Sequence, residues 1–278
     1  MRWAIRHRTA YRYASAVRDS FNEARVRPPS DRRQRLEHFE LTVNPPARVN
    51  YYTDFYGNGV DHFDVAEPHT ALELETRAVV ATFAPAPLAL DARPATLAAA
   101  RQAGQGEPCF DFAQASRFTD TSPEIRRMAA EAAEGQTDAW QAALAIMRFV
   151  HGRMAYEPQT THVHTQAREA LAEGRGVCQD FAHVMIGLCR AAQIPARYVS
   201  GYLATQRAGG THAWTEVFIP SVGWVALDPT HNSQPGETYV KIATGRDYND
   251  VPPLRGTYRG TQERTMEVAV EIRPAEES

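Results

Sequence analysis

Apolar side chains recur at every second position in several stretches of the first 84 residues of this chain and at every third or fourth position in stretches between residues 121 and 192, and this change of period limits the folds open to it. A period of two lays one face of an extended strand against a core, whereas a period near 3.6 lays one stripe of a helix there. In the opening stretch Trp3, Ile5, His7, Thr9, Tyr11 and Tyr13 alternate with Arg2, Arg6, Arg8 and Arg12. Phe39 to Val43 and Leu72 to Val80 alternate in the same way. Tyr51 to Tyr56, Gly57-Asn58-Gly59 and Val60 to Val65 form a hairpin signal, because Asn-Gly supplies the positive φ angles of a tight turn. The arginine face of the first strand reads as a charged outer surface that keeps an exposed strand soluble and unpaired. Residues 1–84 therefore read as an antiparallel β domain.

The 85–120 stretch is rich in Ala and Pro without a sustained period, and reads as linker and irregular packing. A helix opens at Ser122-Pro123, with Ser as N-cap and Pro at the first helical position, and carries Ile125, Met128 and Ala129 on one side. A second runs from Asp138 to about Met154. The core region spans 121–235, and 236–278 is a C-terminal extension in which Met266, Val268, Val270 and Ile272 form a last alternating strand. The tail after Pro274 is expected to fray. The fold class is α+β.

The chemistry concentrates in Gly174-Arg175-Gly176-Val177-Cys178-Gln179-Asp180-Phe181-Ala182-His183. Glycines make a turn, a cysteine follows, and Phe181, Val184, Met185, Leu188 and Ala192 then recur at helical spacing. Cys178 therefore stands on the first turn of a buried helix, where unpaired N–H groups and the positive end of the helix dipole favour an anion. A thiolate is the nucleophilic form of cysteine. His212 opens one β-rich run, and Asp228 ends the next after the turn at Pro220-Ser221-Val222-Gly223. Parity puts His212 with Trp214 and Phe218, and Asp228 with Trp224 and Ala226, so a hairpin can bring the two together on one face. The register stays open. Nucleophile, base and orienting carboxylate are what thioester chemistry requires. The Cys178 N–H is a natural oxyanion donor, and Gln179 or the Trp140 indole is available as the second.

Other readings carry less. Cys189 lies eleven residues along the same helix, about 16 Å away, too far to bridge Cys178. Cys109 brings the count to three, which suits a reducing cytoplasm better than a disulfide scaffold. His183 reads as structural. His162 and His164 with Cys178 lack the paired spacing of a zinc site, so no metal or cofactor is expected. A net charge of −3 gives no reason to expect a nucleic-acid partner, and no run reaches the roughly 18 apolar residues of a membrane span. The stretch 78–90, the longest candidate, is broken by Pro85 and Pro87. Lys241 is the only lysine among 30 basic residues, so the chain offers few side-chain amines to an acyl donor of its own kind.

The run Gly176 to His183, with Ile194-Pro195-Ala196-Arg197-Tyr198-Val199-Ser200-Gly201-Tyr202, His212-Ala213-Trp214 and Gly223 to Thr230, resembles the bacterial branch of the transglutaminase-like superfamily. The opening His7 to Tyr13, Tyr56 to Gly59 and Pro68-His69 resemble its β-rich N-terminal domain, and Gly245 to Pro253 also fits. The resemblance implies a papain-like transglutaminase core, with a Cys-bearing helix packed on an antiparallel sheet. It implies Cys178 as nucleophile, His212 as base and Asp228 as orienter. Members of this branch are described as candidate cysteine proteases. The implied activity is hydrolysis of peptide or amide bonds. A protein-glutamine transglutaminase with an amine acceptor is one alternative, and a non-catalytic binding module on the same fold is another. Substrate identity and oligomeric state are not implied.

Overall fold

The computed structural model describes residues 1–86, 95–158, 165–205, 211–220 and 222–276. The opening alternation continues past its aromatic part as β1 (Arg2–Ala24), the spine of a seven-stranded antiparallel sheet. That sheet also contains β2 (Gln34–Asn44), β3 (Val49–Thr53), β4 (Gly59–Val65) and β5 (His69–Thr82). Along one side β1 pairs first with β5, with a register shift between Arg12 and Val17, and then from Ser20 onward with β4. Being central, β1 has no open edge for its arginines to guard, contrary to the reading from sequence. Arg6 instead meets Glu75 at 2.7 Å and Arg8 meets Glu73 at 3.1 Å, so the face is neutralised by the neighbouring strand. The β3–β4 hairpin forms as expected, but Gly57 carries the positive φ (81°). Asn58 is buried and uses its side chain elsewhere.

The 85–120 stretch is more ordered than its composition predicts, with α1 (Leu97–Ala103), capped by the Thr96 hydroxyl, and α2 (Phe110–Ala113) among its described residues. Next come α3 (Pro123–Ala132), opened by Ser122 and Pro123, and α4 (Ala139–Arg153), whose cap Asp138 accepts the Gln141 N–H at 2.9 Å. The two-residue strands β6 (Ala155–Tyr156) and β7 (Arg175–Gly176) pair in parallel around α5 (Ala167–Glu173) and lead directly into α6 (Cys178–Ala191). Every α6 residue from Asp180 to Arg190 is buried. A helix buried on every side lies inside a core, and its polar side chains Asp180, His183 and Arg190 are hydrogen-bonded there. Helices α3, α4 and α5 pack against it, as do strands of a second sheet.

That sheet contains β8 (Ala196–Leu203), β9 (His212–Ile219), β10 (Gly223–Leu227) and β11 (Tyr239–Gly245), in the order β10-β9-β8-β11. The last strands, β12 (Leu254–Arg259) and β13 (Arg264–Pro274), return to pair with β1. The C-terminal extension is thus shared, β11 completing the second sheet and β12 and β13 the first. Just beyond Pro274, Ala275 donates its N–H to Arg2 O at 3.0 Å, and residues 277–278 of the tail lie outside the described residues. One apolar cluster joins Trp3, Ile5, Ala78 and Val80 to side chains of α4 and α6. Among the described residues no helix is long and apolar enough to cross a membrane.

Candidate active site

Cys178 is the first residue of α6 and is half-buried. The turn before it depends on Asp180, an acid in the first helical turn whose Oδ2 accepts the Val177 N–H at 2.8 Å. A Cβ on Gly176 would stand 2.6 Å from that oxygen, so glycine is required there for the carboxylate to fold back. The Cys178 N–H is among those a helix leaves without an intrahelical acceptor. Trp140, the other donor considered from sequence, is buried in α4 within the core.

The β9–β10 hairpin settles the register that sequence left open. Phe218 pairs with Trp224 and Glu216 with Ala226, which puts His212 and Asp228 at the same end of one face. His212 Nε2 and Asp228 Oδ2 are 2.8 Å apart. This leaves Nδ1 free of the carboxylate, and Cys178 is close enough to the His212 ring to act on its pKa. Burial works to lower the imidazole pKa, but the hydrogen bonds and charges of Asp228 and Cys178 outweigh it and raise it to about 9. Asp228 is fully buried, which by itself would raise its pKa. Bonds from His212, His231 and Tyr239 prevail and hold it down to about 2.

The carboxylate is held from all sides. Oδ2 also accepts the Tyr239 hydroxyl at 2.8 Å and His231 Nδ1 at 2.8 Å, while Oδ1 accepts the Thr230 N–H at 2.9 Å and the His231 N–H at 3.3 Å. Trp214 lies against His212, with ring centres 6.1 Å apart, and meets Tyr239 edge to face at 5.5 Å. It fits because Gly201, opposite His212 on β8, has no side chain; a Cβ there would stand 2.3 Å from the indole. Asp180, His231, Tyr239 and Trp214 carry no assigned role in the sequence reading. Two had local signals: an acid at the third helical position, and a histidine three residues after Asp228 in the same run. Tyr239 had none, because a separate strand delivers it.

Ligand atoms of His212, Asp228 and His231 lie within 4.8 Å of one another, a nitrogen and oxygen set that a transition metal could use. His183 is buried on α6 and its Nε2 accepts the Tyr248 N–H at 3.1 Å, a structural part. Cys189 and Cys109 are buried, and burial raises their thiol pKa to about 12 and about 11 respectively. His162 and His164 lie outside the described residues.

The papain-like arrangement of a cysteine-bearing helix on an antiparallel sheet, preceded by a β domain, is that of a transglutaminase-like protein. The Transglutaminase-like superfamily profile matches residues 126–229, and the Bacterial transglutaminase-like N-terminal region matches residues 3–81. The chain belongs to this superfamily. An uncharacterised protein of Mycobacterium leprae is 34% identical over 97% of this chain and 98% of its own length. A protein-glutamine gamma-glutamyltransferase of Pseudomonas aeruginosa is 34% identical over 41% of this chain and 19% of its own. Among solved structures, a Cytophaga hutchinsonii protein described as a candidate cysteine protease shares the fold, with a TM-score of 0.83, 24% identity, and coverage of 100% of this chain and 92% of that one.

Proposed function

We propose that the protein is a thiol-dependent acyl-transfer enzyme that hydrolyses peptide or amide bonds through a thioester on Cys178. The observation that carries this reading is the single imidazole of His212, bonded at Nε2 to a buried carboxylate and close enough to Cys178 for that residue to raise its pKa. In this scheme the Cys178 sulfur attacks the carbonyl carbon, and the negative charge passes to the carbonyl oxygen. The N–H groups of Cys178 and Gln179 at the helix start are positioned by sequence to receive that oxyanion. His212 protonates the leaving amine and then takes a proton from the water that resolves the thioester. Asp228 fixes the tautomer and stabilises the imidazolium. Three free cysteines support a reducing, cytoplasmic location, which cell fractionation checks.

A second reading, transfer to an amine, is supported by the similarity to the Pseudomonas aeruginosa transferase. Incubation with a glutamine peptide and a fluorescent primary amine separates the two: hydrolysis releases ammonia without labelling the peptide, whereas transfer labels it. A carboxamide-directed electrophile followed by mass spectrometry tests the nucleophile. Modification at Cys178 that disappears in Cys178→Ala is expected; modification at Cys109 instead, or turnover by Cys178→Ala, overturns the assignment.

A further inference from the structure

A cleft of about 560 Å³ lies between β1, β12 and the loops at residues 117–118 and 248–252, and neither Cys178, His212 nor Asp228 lines it. Three guanidinium groups face it, those of Arg117, Arg255 and Arg264, and no carboxylate does. All three arginines are exposed, and each spends a donor on a neutral oxygen. Arg117 Nη1 donates to Asn249 Oδ1 at 3.2 Å, Arg264 Nη1 to the Tyr258 hydroxyl at 2.8 Å, and Arg255 to the carbonyl of Asn249. The two acids whose charges reach Arg255 are already engaged. Glu23 bonds Arg25 at 3.1 Å and Tyr52 at 2.8 Å, and Asp250 bonds Arg246 at 2.9 Å.

This arrangement contrasts with the ion-paired arginines of the molecule. The chain carries a net charge of −3, and arginines elsewhere in it, such as Arg6, Arg27, Arg197 and Arg246, meet carboxylates at 2.6–2.9 Å. Clustered guanidinium groups without an acid repel one another unless solvent or an anion screens them. The wall behind them is aromatic. Tyr11 and Tyr13 are stacked with ring centres 6.3 Å apart, and Arg264 lies 5.6 Å over Tyr11 and 5.5 Å over Tyr258. Among the described residues the hydroxyls of Tyr11, Tyr13 and Tyr248 make no hydrogen bond, so the lining offers further donors. Planar guanidinium groups bind carboxylate and phosphate oxygens in pairs.

We propose that this cleft is a binding site for a small polyanion bearing two or more carboxylate or phosphate groups. The site stands apart from the acyl-transfer reading, and its test does not depend on turnover. Isothermal titration calorimetry with citrate and with pyrophosphate, each compared with sodium chloride at matched ionic strength, reads it directly. One or both should bind one to one with Kd below about 1 mM. Binding of citrate alone assigns a carboxylate ligand, and binding of pyrophosphate alone a phosphate ligand. The Arg255→Gln, Arg264→Gln double variant should lose tenfold or more in affinity, while Arg18→Gln, an exposed arginine outside the cleft, and Cys178→Ala should bind like the parent. Circular dichroism checks that the double variant is folded. Failure of both anions to bind, or affinity unchanged in the folded double variant, overturns the proposal.

Discussion

Asp228→Asn keeps the shape of the orienting side chain while removing its charge and one acceptor. With the amide oxygen toward His212, its NH2 group faces the N–H groups of Thr230 and His231. With the amide reversed, the NH2 group faces three donors, from His212, His231 and Tyr239. Either orientation leaves at least two buried groups opposed, at about 1–3 kcal/mol for each one left unpaired. At roughly 2–4 °C per kcal/mol, the melting temperature should fall by several degrees. The imidazole is affected as well. Its rise from 6.5 to about 9 corresponds to about 3 kcal/mol of net stabilisation of the charged form, much of it from Asp228.

That stabilisation is fully present below pH 6.5 and is lost as pH rises through about 9, because the folded-state pKa lies above the unfolded one. Alkylation of Cys178 by iodoacetate reads the same group without a known substrate, since an anionic reagent is drawn to a sulfur beside an imidazolium. In the parent protein the rate should fall on the alkaline side near pH 9; in Asp228→Asn that fall should move toward pH 6.5. Turnover of any amide substrate should drop by on the order of 10³ to 10⁴. If the alkaline limb stays near pH 9 and the melting temperature is unchanged, Asp228 is a turn residue and the charge argument fails.

Tyr239→Phe removes one of the three donors on Asp228 Oδ2 and should cost about 1.5–3 kcal/mol in chemical denaturation. The alkaline limb should stay near pH 9 or move slightly higher, because a carboxylate relieved of one donor is a stronger acceptor for the imidazolium, and a fall toward pH 6.5 would refute this account of Tyr239. Gly201→Ala places a methyl group 2.3 Å from the Trp214 ring and 2.4 Å from Val240 O, and should destabilise by about 1–3 kcal/mol or more while slowing Cys178 alkylation. Parental stability in urea would show that the indole has room to move. Asn58→Ala should leave the Thr244 N–H and C=O without their partners, at about 1–3 kcal/mol for each. Hydrogen exchange at Thr244 should accelerate, and unchanged protection would refute the pairing.

Much of the site was legible because its chemistry is local. The glycines, the cysteine and the apolar spacing after it identify a helix start from a dozen residues, and α6 begins at Cys178 as that pattern predicts. His212 and Asp228 were readable as partners through strand parity, since the side-chain period of two leaves only same-face or opposite-face choices. The support of Asp228 was not legible. Tyr239 arrives from β11, which lies two strands from β9 in the sheet, so only the strand order brings it near. The pairing of the C-terminal strands was not legible for the same reason. Residues 236–278 look like an appendage, but pairing partners far away in sequence place β11 in one sheet and β13 in the other. The opening arginines show the complementary limit. Alternation reveals a charged face, while its partner glutamates are known only once β5 is set beside β1.

The manner in which the two sheets meet gives the N-terminal region a physical role. β11 is an edge strand, and an edge exposes unpaired N–H and C=O groups. Two amide side chains from the N-terminal region close it. Gln34 donates to Lys241 O at 2.9 Å and accepts the Lys241 N–H at 2.8 Å, and Asn58 donates to Thr244 O at 2.8 Å and accepts the Thr244 N–H at 2.7 Å. A primary amide presents one donor and one acceptor side by side, so each side chain substitutes for one residue of a missing strand. Residues three apart would normally face opposite edges. The irregularity in β11 between Lys241 and Ala243 restores the phase, so that Lys241 and Thr244 turn the same edge outward. Tyr239, which donates to Asp228, is the first residue of that strand. Fixing β11 therefore fixes the hydroxyl beneath the orienting carboxylate, and through it the imidazole that faces Cys178.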